Sequence, residues 1–126
     1  MKILLIEPDR WLAATYYQAL TAAGHSVLVC ASAQSAIFAA DQQRPDAVIL
    51  ELQLVEHSGI EFLYEFRSYP EWADIPVIIH TLVPPQEFRA SSDILHEQLG
   101  VNDYYYKPQT SLATVLERLA SLPVTA

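Results

Sequence analysis

The segment Pro45-Asp46-Ala47-Val48-Ile49-Leu50-Glu51 sets four apolar residues in an unbroken row and closes them with an acid. A strand with one face in water alternates apolar and polar side chains. A row without alternation belongs to a strand covered on both faces, the central position of a parallel sheet. Two further runs share this character, Ile3 to Ile6 and Val77 to Ile79, whereas Ser26 to Cys30 and Tyr104 to Tyr106 read as peripheral strands.

Segments of helical period separate these runs. Leu12, Tyr16, Ala19, Leu20 and Ala23 fall on one face of a first helix, with Asp9 placed to accept from its free amides and Gly24 to end it. Ser32 opens a second helix through Ala33, Ile37, Phe38 and Ala40, which Pro45 keeps from running on. Ser58 and Gly59 open a third, with Ile60, Leu63 and Phe66 on one face and Pro70 at its close. A fourth is expected between Pro84-Pro85 and Gly100, and a fifth from Thr110 or Ser111 through Leu112, Val115, Leu116 and Leu119, with Pro123 beyond its end. Five strand-helix units predict an α/β fold, a flavodoxin-like doubly wound (βα)5 parallel sheet of strand order 2-1-3-4-5, in a single domain over residues 1–126.

Composition narrows the function classes. With 52% hydrophobic residues, 126 residues make one core and leave no room for a second. Fifteen acids against seven bases, a net charge of -8, argue against a nucleic-acid partner. Cys30 alone excludes an internal disulfide and suits a reducing compartment. The apolar N-terminal run stops at Glu7-Pro8-Asp9-Arg10, too short for a signal core or membrane span, so residence in the cytoplasm is expected. His25, His57, His80 and His96 are too scattered for a ligand set, and no glycine-rich phosphate loop appears. No metal and no cofactor are therefore expected. A flavodoxin-like small-molecule binder is a competing reading, betrayed by yellow colour or a co-purifying nucleotide.

In such a sheet, reactive groups gather where the strands end at their carboxyl side. Glu7 follows the first strand, Glu51 ends the third, Thr81 follows the fourth and Lys107 the fifth. One polar residue after a strand means little, but four of complementary type in four units are specific. Lys107 is placed to reach across the crevice toward Glu51.

These residues, with Lys2 to Glu7, Pro45 to Glu51, Gly59, Ile75 to Thr81, and Gly100 through Lys107-Pro108, make the chain resemble the receiver domain of bacterial two-component response regulators over nearly its whole length. The resemblance implies a phosphorelay role in which the position of Glu51 carries an aspartate that accepts a phosphoryl group from a histidine kinase. It implies that an acidic pair at Glu7-Pro8 holds magnesium, that Thr81 and Lys107 bind the phosphoryl oxygens, and that Tyr104 reports to a partner surface built by the fourth helix, fifth strand and fifth helix.

The departures from that pattern matter more. Pro8 removes one acid, which weakens the hold on magnesium. Asp9 could substitute, although its offset fits the helix cap better. Glu51 pushes its carboxylate outward, and a misplacement of ~1 Å can cost ~100-fold in rate. Val55 stands where the family has proline and Leu82 where it has a small residue, narrowing the crevice. Val83-Pro84-Pro85-Gln86 is inserted, as a rebuilt recognition surface or a stiff connector. The expectation is a pseudo-receiver, a protein-interaction module and not an enzyme, with Glu51 in permanent contact with Lys107. That contact imitates the phosphorylated state or is a structural ion pair. A working phosphoacceptor with atypical residues is the alternative. Tyr104, with Tyr105 and Tyr106 beside it, serves an interface or packs an edge. The partner is a histidine kinase or an output protein, with a homodimer as a further option.

Overall fold

Five strands, β1 (Lys2–Ile6), β2 (Ser26–Cys30), β3 (Ala47–Leu50), β4 (Val77–Thr81) and β5 (Val101–Tyr106), form one parallel sheet in the order β2-β1-β3-β4-β5 in the computed structural model, which describes residues 1–123. The expected order is present, and the three unalternating runs lie at its centre. Helices α1 (Arg10–Ala22) and α4 (Leu112–Ser121), the latter being the expected fifth helix, cover one face. Helices α2 (Ala33–Gln42) and α3 (Gly59–Ser68) cover the other.

Successive strand residues feed opposite layers. Ile3, Leu5, Ile49 and Ile78 pack with Tyr16, Leu20, Val115 and Leu119, whereas Leu4, Ile6, Val48, Leu50 and Ile79 pack with Phe62, Leu63 and Phe66. Each such side chain, fully withdrawn from water, contributes about 1.5–3 kcal/mol before the entropy of ordering it is charged. The helix starts match their sequence signals. Asp9 accepts from the Trp11 and Leu12 amides at 3.0 Å, and Ser32, Ser58 and Ser111 accept from Ser35, Glu61 and Thr114. Gly24 ends α1 at φ +92°, a conformation that disfavours any side chain.

Two expectations need correction. Between Pro84 and Gly100 there is no α-helix; Pro85–Ser91 is a 3-10 run and Ile94–Gln98 a π-helical turn. The prolines lack an amide hydrogen, the Glu87 amide closes a tight turn on the Pro84 carbonyl at 3.1 Å, and Ser91-Ser92-Asp93 are weak helix formers. The fourth-helix part of the expected partner surface is therefore this irregular segment. Strand β5 starts at Val101, three residues before the expected start, with a bulge opposite Val77 and Ile78 where the Asn102 side chain accepts from the Val77 amide at 3.0 Å. Helix α2 buries Ala33, Ala36 and Ala40 and leaves Phe38 68% exposed, because small residues at this spacing let the helix lie close against the sheet. Helix α3 buries Phe62 with Leu63 and Phe66, and Ile60 is only half-buried.

Pro70 starts a short 3-10 turn that delivers Trp72 onto Phe66, ring centroids 5.1 Å apart. Among the described residues, no helix is long and apolar enough to cross a membrane.

Candidate functional site

Where β1 and β3 lie side by side, the connections leave toward opposite faces and open a crevice at their carboxyl ends. Glu7 and Glu51 sit at those ends, both buried, and the Glu51 amide donates to the Ile6 carbonyl at 3.0 Å. Gly59 lets α3 start against this floor. A Cβ there would lie 2.7 Å from Leu52 Cα and 2.9 Å from the Glu51 carbonyl oxygen.

All four strand-end residues singled out in the sequence meet in the crevice. The Lys107 ammonium donates to Glu7 Oε1 at 2.6 Å and to Glu51 Oε1 at 2.7 Å, with its side chain only 11% exposed. Thr81, fully buried at the end of β4, donates to Glu51 Oε2. Two backbone donors complete the set. The Leu82 amide reaches Glu51 Oε1 at 3.1 Å and the Gln53 amide reaches Oε2 at 3.0 Å. Each oxygen of Glu51 thus accepts two hydrogen bonds, and Glu7 Oε2 accepts from the Asp9 amide at 3.1 Å.

The two acids differ in their electrostatics. Burial pushes the Glu51 carboxyl up, but the bonds from Lys107, Thr81 and Gln53 and the Lys107 charge outweigh it and hold the group below the usual range. For Glu7, burial wins over Lys107 and the Asp9 amide, with Glu51 adding repulsion, and the carboxyl lies above the usual range.

A divalent cation is a poor fit to this donor set. Magnesium requires near-octahedral oxygen ligation. Here the ammonium occupies the place between the two carboxylates, Pro8 offers no side-chain oxygen, and Asp9 is spent on capping α1. Among the described residues, no cluster of three or more His, Cys, Asp or Glu is arranged to hold a metal ion.

Pro8 lies beside this centre, half-buried on the rim. Tyr104 is joined to it through a relay. Thr81 Oγ1 accepts from the Val83 amide at 3.1 Å, and the Tyr104 hydroxyl donates to the Val83 carbonyl at 2.7 Å. The half-buried Tyr104 ring rests 6.1 Å from Phe88, and burial together with Glu51 and Glu87 pushes its hydroxyl up to about 12. Tyr105 packs into the opposite layer, as strand alternation requires.

Sequence reasoning missed the amides of Gln53 and Leu82, since every residue carries one and only loop geometry aims it. Leu82 was read for its side chain, which is 52% exposed, while its amide is what touches the site. His80 faces away from Thr81, as strand alternation requires, and enters the α1/α4 layer against Tyr16.

A family model described as the response regulator receiver domain matches residues 3–119. The chain is 33% identical over 120 residues to the probable transcriptional regulatory protein TcrX of Mycobacterium tuberculosis, covering 95% of this chain and 48% of that protein. It is 34% identical over 122 residues to the transcriptional regulatory protein QseB of Haemophilus influenzae, covering 97% and 52%. The chain spans about half the length of these curated relatives. Among solved structures it is similar to the chemotaxis protein CheY4 of Vibrio cholerae, with a TM-score of 0.83 at 20% identity over 97% of this chain and 98% of that one. At this identity the likeness shows the fold alone.

Proposed function

The chain belongs to the response regulator receiver family, and from that premise we propose that it is a pseudo-receiver, a signalling module that works through protein contacts without being phosphorylated. The observation that carries this reading is the Lys107 ammonium lodged between Glu7 and Glu51, with Thr81 and two amides closing the remaining acceptor positions of Glu51. Phosphorylation of Glu51 would first have to break four hydrogen bonds in a buried site, and the lengthened side chain carries the carboxylate past the position an aspartate would hold. A cation to neutralise the incoming phosphoryl group has no vacant ligand set. The contact instead holds Thr81, Val83 and Tyr104 in one arrangement, which supports a fixed signalling conformation.

The partner on this reading is a protein, a histidine kinase or an output protein, meeting the face made by the 85–98 segment, β5 and α4. The half-buried Tyr104 borders a cavity of about 220 Å³ on that face, with Phe88, Leu95 and Val101. Two of the relatives are named transcriptional regulators, but the net charge of -8 assigns any nucleic-acid contact to something other than this domain. The chain is read as a cytoplasmic, non-enzymatic domain.

The test is incubation with a small acyl-phosphate donor and magnesium, followed by intact-mass measurement. The expected result is no phosphoryl adduct. A stable adduct on the wild type that vanishes in Glu51→Gln would overturn the proposal and make the chain a phosphoacceptor.

A further inference from the structure

Within the largely apolar α1/α4 layer lie two deeply buried side chains with polar atoms, Tyr16 and His80, which are 1% and 5% exposed. A buried imidazole is costly unless both ring nitrogens find partners. His80 Nε2 lies 3.3 Å from the Thr110 carbonyl and Nδ1 faces the Tyr16 hydroxyl, with the rings nearly perpendicular at 83°. The Thr110 carbonyl can only accept, so Nε2 carries the hydrogen, which leaves Nδ1 to accept from Tyr16. Tyr16 thereby selects the tautomer that can grip Thr110.

Thr110 closes the turn Lys107–Gln109, its amide donating to the Lys107 carbonyl at 3.3 Å. His80 thus holds the far end of the turn whose first residue supplies the site's ammonium. Thr81, the next residue of β4, points to the other face and donates to Glu51. Two successive residues of one strand hold the two sides of the ion pair, one by its acid and the other by the turn beneath its lysine. The circuit closes through α1, which carries Tyr16 and whose cap residue Asp9 donates its amide to Glu7.

We propose that Tyr16 and His80 are positioning residues for the site: by fixing the Thr110 carbonyl they set the turn that places Lys107 Nζ between Glu7 and Glu51. The assignment holds whether or not Glu51 takes up phosphate.

The chain has two lysines, Lys107 and the exposed Lys2, so lysine chemistry reports on this site with an internal control. The experiment is pulse acetylation with acetic anhydride, read by peptide mass spectrometry, alongside the Lys107 15Nζ resonance. His80→Phe, which keeps an aromatic ring and loses both hydrogen bonds, should label Lys107 about tenfold faster than wild type, and Tyr16→Phe about threefold faster, with Lys2 unchanged. His80→Gln, which retains a donor and an acceptor, should restore most of the protection. Leu119→Ala lies in the same layer, removes none of the circuit's hydrogen bonds and controls for general loosening. It should leave the Lys107 to Lys2 ratio near wild type. Should His80→Phe fail to fold, Tyr16→Phe removes a single hydroxyl and carries the test. A folded His80→Phe or Tyr16→Phe whose Lys107 labels within about twofold of the Leu119→Ala control would overturn the proposal.

Discussion

Glu7 and Glu51 share one lysine, and replacing each by glutamine should separate their roles. In Glu51→Gln an amide nitrogen takes the place of one carboxylate oxygen. Either choice of side sets that NH2 against two buried donors, Lys107 and the Leu82 amide or Thr81 and the Gln53 amide. Each donor left unpaired costs about 1–3 kcal/mol, and removing one member of a buried ion pair costs about 3–5 kcal/mol in total. Glu7→Gln loses one bond, to Lys107 or to the Asp9 amide, while Lys107 keeps Glu51 and the surplus buried negative charge disappears. Its net cost should be about 1 kcal/mol or less. Proton linkage gives the opposite signs a second reading. The folded-state value of Glu51 lies below its unfolded value near 4.5, so its contribution is present above that pH and lost as pH falls through the depressed value. Glu7 is raised, so its ionised form costs stability at neutral pH, and that cost is relieved as pH falls toward 4.5. Urea unfolding at neutral pH and near pH 4 measures both. The deficit of Glu51→Gln should shrink at the lower pH. A Glu7→Gln protein destabilised as much as Glu51→Gln at neutral pH would refute the reasoning.

Gly59→Ala places a Cβ against the backbone of Leu52 and Glu51 and should cost about 1–3 kcal/mol in urea unfolding, with chemical-shift changes concentrated at residues 51–53. Arg67 donates to the Leu99, Trp72 and Gly100 carbonyls at 2.7, 2.7 and 3.1 Å and pins the end of the irregular segment to α3. Arg67→Met should cost about 2–4 kcal/mol and raise hydrogen exchange across residues 94–101, with Arg67→Lys a poor rescue because one ammonium cannot span that fork.

Residues 47–50 show why so much of the fold was legible. A row of four apolar residues is too short for a helix and too apolar for an edge, and neighbouring runs of the same kind leave a parallel sheet as the arrangement that buries them all. Asp9, Ser32 and Ser58 were equally readable, and the last cap was narrowed to Thr110 or Ser111, because capping is settled within three residues of chain. Phe38 shows the limit. Periodicity offers α2 a large-residue stripe and an alanine stripe, and the closeness of the sheet chooses the alanines. The 85–98 segment failed for a related reason: its composition permits a helix, while two leading prolines and a polar centre break the ladder into tighter and wider turns.

For the site, Glu7, Glu51, Thr81 and Lys107 could be named from the ends of apolar runs, since strand polarity fixes where loops emerge. By itself the sequence determined the strand order, the starts of the four α-helices to within a residue and the kinds of charge brought to one crevice. Only tertiary structure decided that Lys107 bridges acids 100 and 56 residues away, that two backbone amides complete the shell around Glu51, and that His80 reaches Thr110. The division has a physical cause: strand and cap preferences act over a few residues, but hydrogen-bond geometry between distant segments depends on angstrom-scale placement that packing of the whole core imposes.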